Sequence, residues 1–313
     1  MDYTCERGYG ARMNLSHLQY FKKLAEVKHY TKAAQELFIA QPTLSVAISQ
    51  IEKELGVPLF KKNQRVTELT EYGQDFYEYV CTALNALNKG IEVVQEKAGR
   101  INGTLNIGTV YAMQGKYWSK AISDFRDSIN TNVQINFKQG FTANLLAQLK
   151  DGSLDVAFAG KLGDDPAIHS VPCWSQELAV GVHKDHPLAS RRVISLDELE
   201  PYHILSYHSD SPVSEELASL IKGRNLDVDL SYNDEITLCS LVTADPDSVA
   251  LFAYSFLAKS FESIVLLSIR EAPIDFHQVY LSYRVDEDRL HVVDNFIDFI
   301  IHYQFPPALI GSS

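Results

Sequence analysis

The sequence predicts three parts in series: an all-α winged helix-turn-helix head, a long linker helix, and an α/β body of two Rossmann-like lobes. Tyr30–Leu55 carries two apolar helical patterns separated by a tight break, the arrangement of a helix-turn-helix. Phe76–Val94 carries an apolar stripe with helical spacing, which predicts one long helix. From residue 104 onward, short apolar strands alternate with amphipathic stretches. That alternation predicts a mostly parallel sheet with helices on its faces.

Residues 1–12 (MDYTCERGYGAR) have no apolar period and read as a disordered extension. Asn14 is placed to cap a helix burying Leu15, Leu18, Phe21, Leu24 and Ala25. Thr31 is placed to cap the next helix, whose buried stripe is Ala33, Ala34 and Leu37. Leu44, Ile48, Ile51 and Leu55 form the apolar face of a longer one. Pro42 falls where a helix start tolerates a missing N–H, and Gly56 is a natural stop. Val57-Pro58-Leu59-Phe60 reads as a turn. Lys61, Lys62, Asn63, Gln64 and Arg65 then make a basic tip before Val66–Thr70 returns as a strand. This hairpin resembles the wing of a winged helix and completes a head spanning 13–72. In the linker, 73–100, Phe76, Val80, Ala83, Leu87, Ile91 and Val94 lie close to a heptad seam. Such a seam suits dimerisation.

The body is expected over 103–306. Strands at Thr104–Val110, Asn132–Lys138 and near Val156, with helices at Lys116–Asp127 and around Leu145, make a first lobe. A second unit starts near Glu177 and continues through Ile204–Tyr207, the helix Ser214–Lys222 and the strand Asp247–Tyr254. The chain then returns with Val279–Tyr283 and a closing helix, Arg289–His302. Lobe I is therefore 103–173 with 272–306, and lobe II is 174–271.

The net charge of −12 is unevenly spread. Residues 1–73 hold ten Lys/Arg and eight Asp/Glu, a net of +2, which leaves −14 for the remainder. A mildly basic head on an acidic body fits a nucleic-acid reader. No apolar run approaches the ~20 residues of a membrane span. Cys5, Cys81, Cys173 and Cys239 are scattered with no Cys-x-x-Cys pair, and with no signal peptide they read as reduced thiols of a cytoplasmic protein.

The ordered string Ala40-Gln41-Pro42-Thr43-Leu44-Ser45, then Gln50-Ile51-Glu52-Lys53-Glu54-Leu55-Gly56-Val57-Pro58-Leu59-Phe60, then Leu69-Thr70-Glu71-Tyr72-Gly73, resembles the LysR-type transcriptional regulators. The resemblance is dense from Met13 to about Gly73 and looser beyond. It implies promoter DNA as a partner, read by Gln41, Pro42, Thr43, Ser45 and Ser49. Thr31, Lys32 and Gln35, with Lys61, Lys62 and Arg65 of the wing, would approach the backbone. It also implies a dimer or tetramer paired through the linker helix, contact with RNA polymerase, and a body like a periplasmic binding protein. A small-molecule effector would sit between its lobes. Candidate contacts are Thr109, Tyr111 and Ala112, then Phe141 and Thr142, then Ser206, Tyr207, His208 and Thr237. Two positions depart from the family pattern: Ala40 stands where Ser is usual and Val46 where Arg is common. A Ser that often holds an effector carboxylate near Ala112 is also missing, which leaves recognition of an acid open.

The ten His residues include no His-x-x-x-His, and Walker, Gly-x-Ser-x-Gly and Gly-x-Gly-x-x-Gly patterns are absent. We therefore expect no enzyme activity, no metal and no cofactor. Two competing readings remain. One is a redox-sensing regulator using a cysteine switch. The other is a solute-binding or enzymatic α/β body on which the helical head is a structural appendage.

Overall fold

Asn14 opens the first helix as its position predicts. Its Oδ1 accepts the His17 N–H at 3.0 Å, satisfying a donor that every helix start leaves without an intrahelical partner. This helix, α1 (Leu15–Val27), belongs to a computed structural model describing residues 13–63, 66–99, 103–113, 115–129, 133–285 and 289–310. The chain divides into two units, 1–91 and 92–313.

In the first unit α1 is followed by α2 (Tyr30–Glu36), α3 (Gln41–Leu55), β1 (Phe60–Asn63), β2 (Val66–Leu69) and most of α4 (Glu71–Lys97). Phe21, Leu24, Ala33, Ala34, Leu44, Ile48 and Ile51 are buried together with Leu59, Val80 and Leu84. Truncating one of these, as in Ile48→Ala, should cost about 2–5 kcal/mol. The expected stripes shorten at their ends: Leu15, the first residue of α1, and Leu55, the last of α3, are exposed. Leu37 is half-buried and ends α2.

The cap of α2 is His29 and not Thr31. The His29 Nδ1 accepts the Lys32 N–H at 3.3 Å, because a neutral imidazole offers one acceptor nitrogen just as a hydroxyl would. Thr31 lies in the first turn, exposed. Gly56 ends α3 with φ 74°. The β1–β2 hairpin is antiparallel, Phe60 opposite Leu69, and its base is held by Glu52, whose Oε1 accepts the N–H groups of Leu59 and Phe60 at 2.8 and 3.2 Å. A Cβ on Gly73 would lie 2.1 Å from the Leu59 carbonyl oxygen, so α4 can approach this turn only with glycine there.

The linker seam splits in two. Phe76 packs against Phe21 in a tilted ring contact with centroids 5.1 Å apart, and Val80 is buried; both belong to the core of the first unit. That corrects their reading as dimer contacts. Ala83, Leu87, Ile91 and Val94 remain exposed along α4.

The second unit begins with β3 (Thr104–Thr109), α5 (Lys116–Ser128), β4 (Gln134–Gln139), α6 (Thr142–Lys150), β5 (Val156–Ala159) and β6 (Ile168–Gln176). It continues with β7 (Leu178–His183), β8 (Val193–Ile194), β9 (His203–Tyr207), α7 (Pro212–Ile221), β10 (Asp227–Tyr232), α8 (Glu235–Ala244), β11 (Val249–Ala253) and β12 (Ile264–Ile269). β13 (His277–Arg284) and α9 (His291–His302) close it.

Two sheets result, ordered β4-β3-β5-β13-β6 and β10-β9-β11-β7-β12-β8. They are mostly parallel, as expected, with one reversed strand in each. β13 runs antiparallel to β5 and β6, and β7 runs antiparallel to β11 and β12. Both are the strands by which the chain enters one lobe from the other, and a strand arriving from that side runs against the βα units already there. Aromatic rings pack α5 and α9 onto the first sheet, with Phe125–Phe296 and Trp118–Phe158 centroids each 4.9 Å apart. Leu145 and Leu149 of α6 cluster with Ala157 and Ala159. All four residues of β5 are buried, as expected for a strand covered on both faces.

Candidate nucleic-acid interface and ligand cleft

In the first unit, the outer face of α3 presents Gln41, Pro42, Thr43, Val46 and Ser49, with Ser45 and Gln50 half-buried beside them. Ala40, in extended conformation, stands at the helix start without a side-chain cap, and its carbonyl accepts the Thr43 N–H at 3.0 Å. The positive end of the helix dipole is therefore left to solvent, where a phosphate can use it. Thr31, Lys32 and Gln35 are exposed on α2. Lys61 is exposed on the wing, 3.9 Å from Glu68. Arg65 and the side chain of Lys62 lie outside the described residues. Sequence reasoning passed over Phe38, which is 95% exposed at φ 56° in the break between α2 and α3.

In the second unit, a cleft of about 540 Å³ opens between the two sheets. Its walls come from the C-terminal ends of β3, β4, β5, β9, β10 and β11 and the N-terminal ends of α6, α7 and α8. This is where α/β sheets place ligands, because strand ends and helix starts leave polar backbone groups without partners. Tyr111, Ala112, Phe141, Thr142, Tyr207 and His208 all line it. Tyr111 and Phe141 meet edge to face with centroids 5.8 Å apart, and the Thr142 hydroxyl accepts the Gly160 N–H at 3.2 Å.

Three expected contacts lie elsewhere. Thr109 is buried and faces a separate groove beside Trp118 and Phe137. Ser206 is buried and donates to the Leu251 carbonyl at 2.7 Å. The Thr237 hydroxyl donates to Asp234 at 3.1 Å, and Thr237 is not among the cleft walls. Strand alternation explains Ser206, since its neighbour Tyr207 faces the cleft. Residues that the sequence did not single out complete the walls, among them Asn144, Gln176, Asp234, Glu235 and His277. Their one local signal was position: Asp234 begins α8 and caps it, accepting the Thr237 N–H at 2.7 Å.

Glu235 is buried, and its Oε1 accepts the Ser255 hydroxyl at 2.5 Å. Burial raises its pKa, and the Asp234 charge adds to the rise. The buried Tyr207 phenol is raised for the same first reason, with Glu235 beside it. Contacts between the lobes form at the walls of the cleft. His277 of β13 meets Glu216 of α7, Nδ1 to Oε2, at 2.6 Å. A Cβ on Gly160 would lie 2.6 Å from the Cβ of Pro212, so the lobes touch there because glycine leaves the room.

Two family models match: the bacterial regulatory helix-turn-helix of the lysR family over residues 15–74, and the LysR substrate binding domain over 98–304. The chain belongs to the LysR family. Among curated LysR-type relatives, it is 35% identical over 187 residues to the uncharacterized regulator YybE of Bacillus subtilis, covering 60% of this chain and 64% of YybE. It is 37% identical over 182 residues to CatR of Pseudomonas putida, covering 57% of this chain and 60% of CatR. The matched stretches thus span less than two thirds of these relatives. The crystal structure of CbnR, a LysR family transcriptional regulator, superposes with a TM-score of 0.73 at 19% identity, over 92% of this chain and 98% of CbnR. That likeness establishes the LysR fold. Among the described residues, no helix is long and apolar enough to cross a membrane.

Proposed function

We propose that the protein is a sequence-specific transcriptional regulator whose DNA binding or promoter activation responds to a small molecule held between the two lobes. The observation that carries this reading is the outward face of α3. It is lined by Gln41, Thr43, Ser45 and Ser49 and starts without a cap, beside a wing bearing Lys61. Amide and hydroxyl side chains of this size reach base edges, and an open helix start receives phosphate. Gln41, Pro42, Thr43, Ser45 and Ser49 would read the major groove. Thr31, Lys32, Gln35 and the wing would hold the backbone.

A dimer would form through Ala83, Leu87, Ile91 and Val94, which line α4 with near-heptad spacing and have water on them in the single chain. Two-fold pairing of two heads implies a palindromic operator. A tetramer and contact with RNA polymerase extend the same reading. The ligand acts only if it prefers one arrangement of the lobes, and the contacts of Gly160 with Pro212 and His277 with Glu216 are where such a preference would be felt.

A redox switch through Cys173 or Cys239 is disfavoured by the thiols themselves. Burial pushes Cys173 and Cys239 each up to about 12, so neither carries the thiolate that peroxide attacks. A mobility-shift titration of the full chain against its own upstream DNA and against random DNA, at several salt concentrations, tests the proposal. Equal affinity for both at every salt would defeat it.

A further inference from the structure

The cleft has a one-sided charge. Asp210, Asp234 and Glu235 line it, and no lysine or arginine stands among the described residues of its walls. Its two histidines already have polar partners: His208 Nδ1 accepts the Asp210 N–H at 3.3 Å, and His277 Nδ1 lies 2.6 Å from the Glu216 carboxylate. On the lobe II side, the helix starts that could receive an anion are already occupied. Ser211 Oγ accepts the Val213 N–H at the start of α7, and Asp234 does the same for Thr237 at the start of α8. At the mouth, Tyr111 and Phe141 are both exposed and offer aromatic surface.

We propose that the cleft takes a small molecule bearing a cationic nitrogen, held between the Tyr111–Phe141 pair and the carboxylates of Asp234 and Glu235. The inference rests on the cleft being the effector site. A cation leaving water needs a counter-charge, and this wall supplies it. Aromatic faces attract ammonium groups through their quadrupoles. An anionic ligand would instead meet three carboxylates without a side-chain cation to offset them, and like charges at this range disfavour binding. Burial raises the Glu235 pKa, and an ammonium beside it would favour the charged form. On the lobe I side, α6 begins at Phe141 without a side-chain cap. Its first N–H groups can take an acceptor oxygen that the same ligand carries, so a plain amine and an amino-acid-like zwitterion both fit the chemistry.

The test uses the full chain and calorimetric titration with matched probes: phenethylamine against phenylacetate, putrescine against succinate, and phenylalanine as the zwitterion. We expect the amines or the zwitterion to bind and their acid counterparts not to. Asp234→Asn keeps the helix cap and removes the charge, and should weaken amine binding about tenfold or more. Tyr111→Ala should weaken it as well. Acids that bind as tightly as amines, with binding lost in Thr142→Ala, would overturn the charge inference and leave the cleft as the effector site. Amine binding indifferent to both Asp234→Asn and Tyr111→Ala would place the ligand elsewhere. Binding of no probe would overturn the inference, and the operator titration would then judge the regulator reading separately.

Discussion

His277 on β13 and Glu216 on α7 join the two lobes of the body through a single bond, Nδ1 to Oε2, at 2.6 Å. The histidine is nearly buried, while the carboxylate keeps about a third of its surface in water, with side-chain exposures of 8% and 37%. The pair therefore acts less as a salt bridge than as a hydrogen bond that satisfies a buried ring nitrogen. Glu216→Ala should destabilise the body by about 1–3 kcal/mol, the cost of leaving such a group unsatisfied. Glu216→Gln should cost less, since an amide still offers a partner. Urea unfolding followed by tryptophan fluorescence measures both, and equal stability of all three proteins would show that the bond carries no weight.

Ala40 starts α3 without a cap, although its extended backbone is the one a capping residue adopts. Ala40→Ser should raise the stability of the head by about 1 kcal/mol. Thermal unfolding of wild type and variant reads this directly; an unchanged midpoint would mean that the serine hydroxyl does not reach the free N–H groups of the first turn.

The two kinds of DNA contact should separate by their salt dependence. Ser49→Ala or Gln41→Ala should lower affinity for the operator by about 1–3 kcal/mol while leaving random DNA little changed. Lys61→Ala should weaken both alike and reduce the salt slope by about 1. Fluorescence anisotropy across a salt series distinguishes these outcomes.

Leu87 and Ile91 are exposed on α4, so charge there does not disturb the core of the single chain. Leu87→Glu with Ile91→Glu should convert the proposed dimer to a monomer with helix content retained, as sedimentation velocity and circular dichroism would record. A monomeric wild type would refute the pairing.

The raised pKa of Glu235 has a definite sign in stability. Its carboxyl binds a proton more tightly when folded, chiefly because burial penalises the charge. This contribution is complete below the ordinary Glu value of 4.5 and is lost as pH rises through the elevated folded value. Glu235→Gln should flatten that decline, and unfolding midpoints measured from acid to neutral pH test it.

Much of this protein was legible in its sequence because the determinants are local. Asn14 and Gly56 end their helices by capping and by left-handed backbone, which depend on a few adjacent residues. The apolar face of α3 and the basic hairpin after it follow from spacing alone. In the body, the alternation of strand and helix was enough for two α/β lobes. It was not enough for β10, α8 and β12. α8 (EITLCSLVTA) is apolar on most sides, so no polar face marks its period, and the edge strand β10 is largely solvated.

What the tertiary structure alone decided depends on residues far apart in sequence. The direction of β7 and β13 follows from the lobe each strand comes from, and no local pattern encodes a return path. Phe76 and Val80 share the heptad spacing of Leu87 and Ile91, yet only the latter pair stays exposed, because Phe21 and its neighbours cover the first turns of α4. The cleft shows the same division. Tyr111, Phe141 and Tyr207 were implied by the family resemblance. Gln176, Glu235 and His277 join them only when two sheets face each other, and Glu235 adds its carboxyl to those of Asp210 and Asp234.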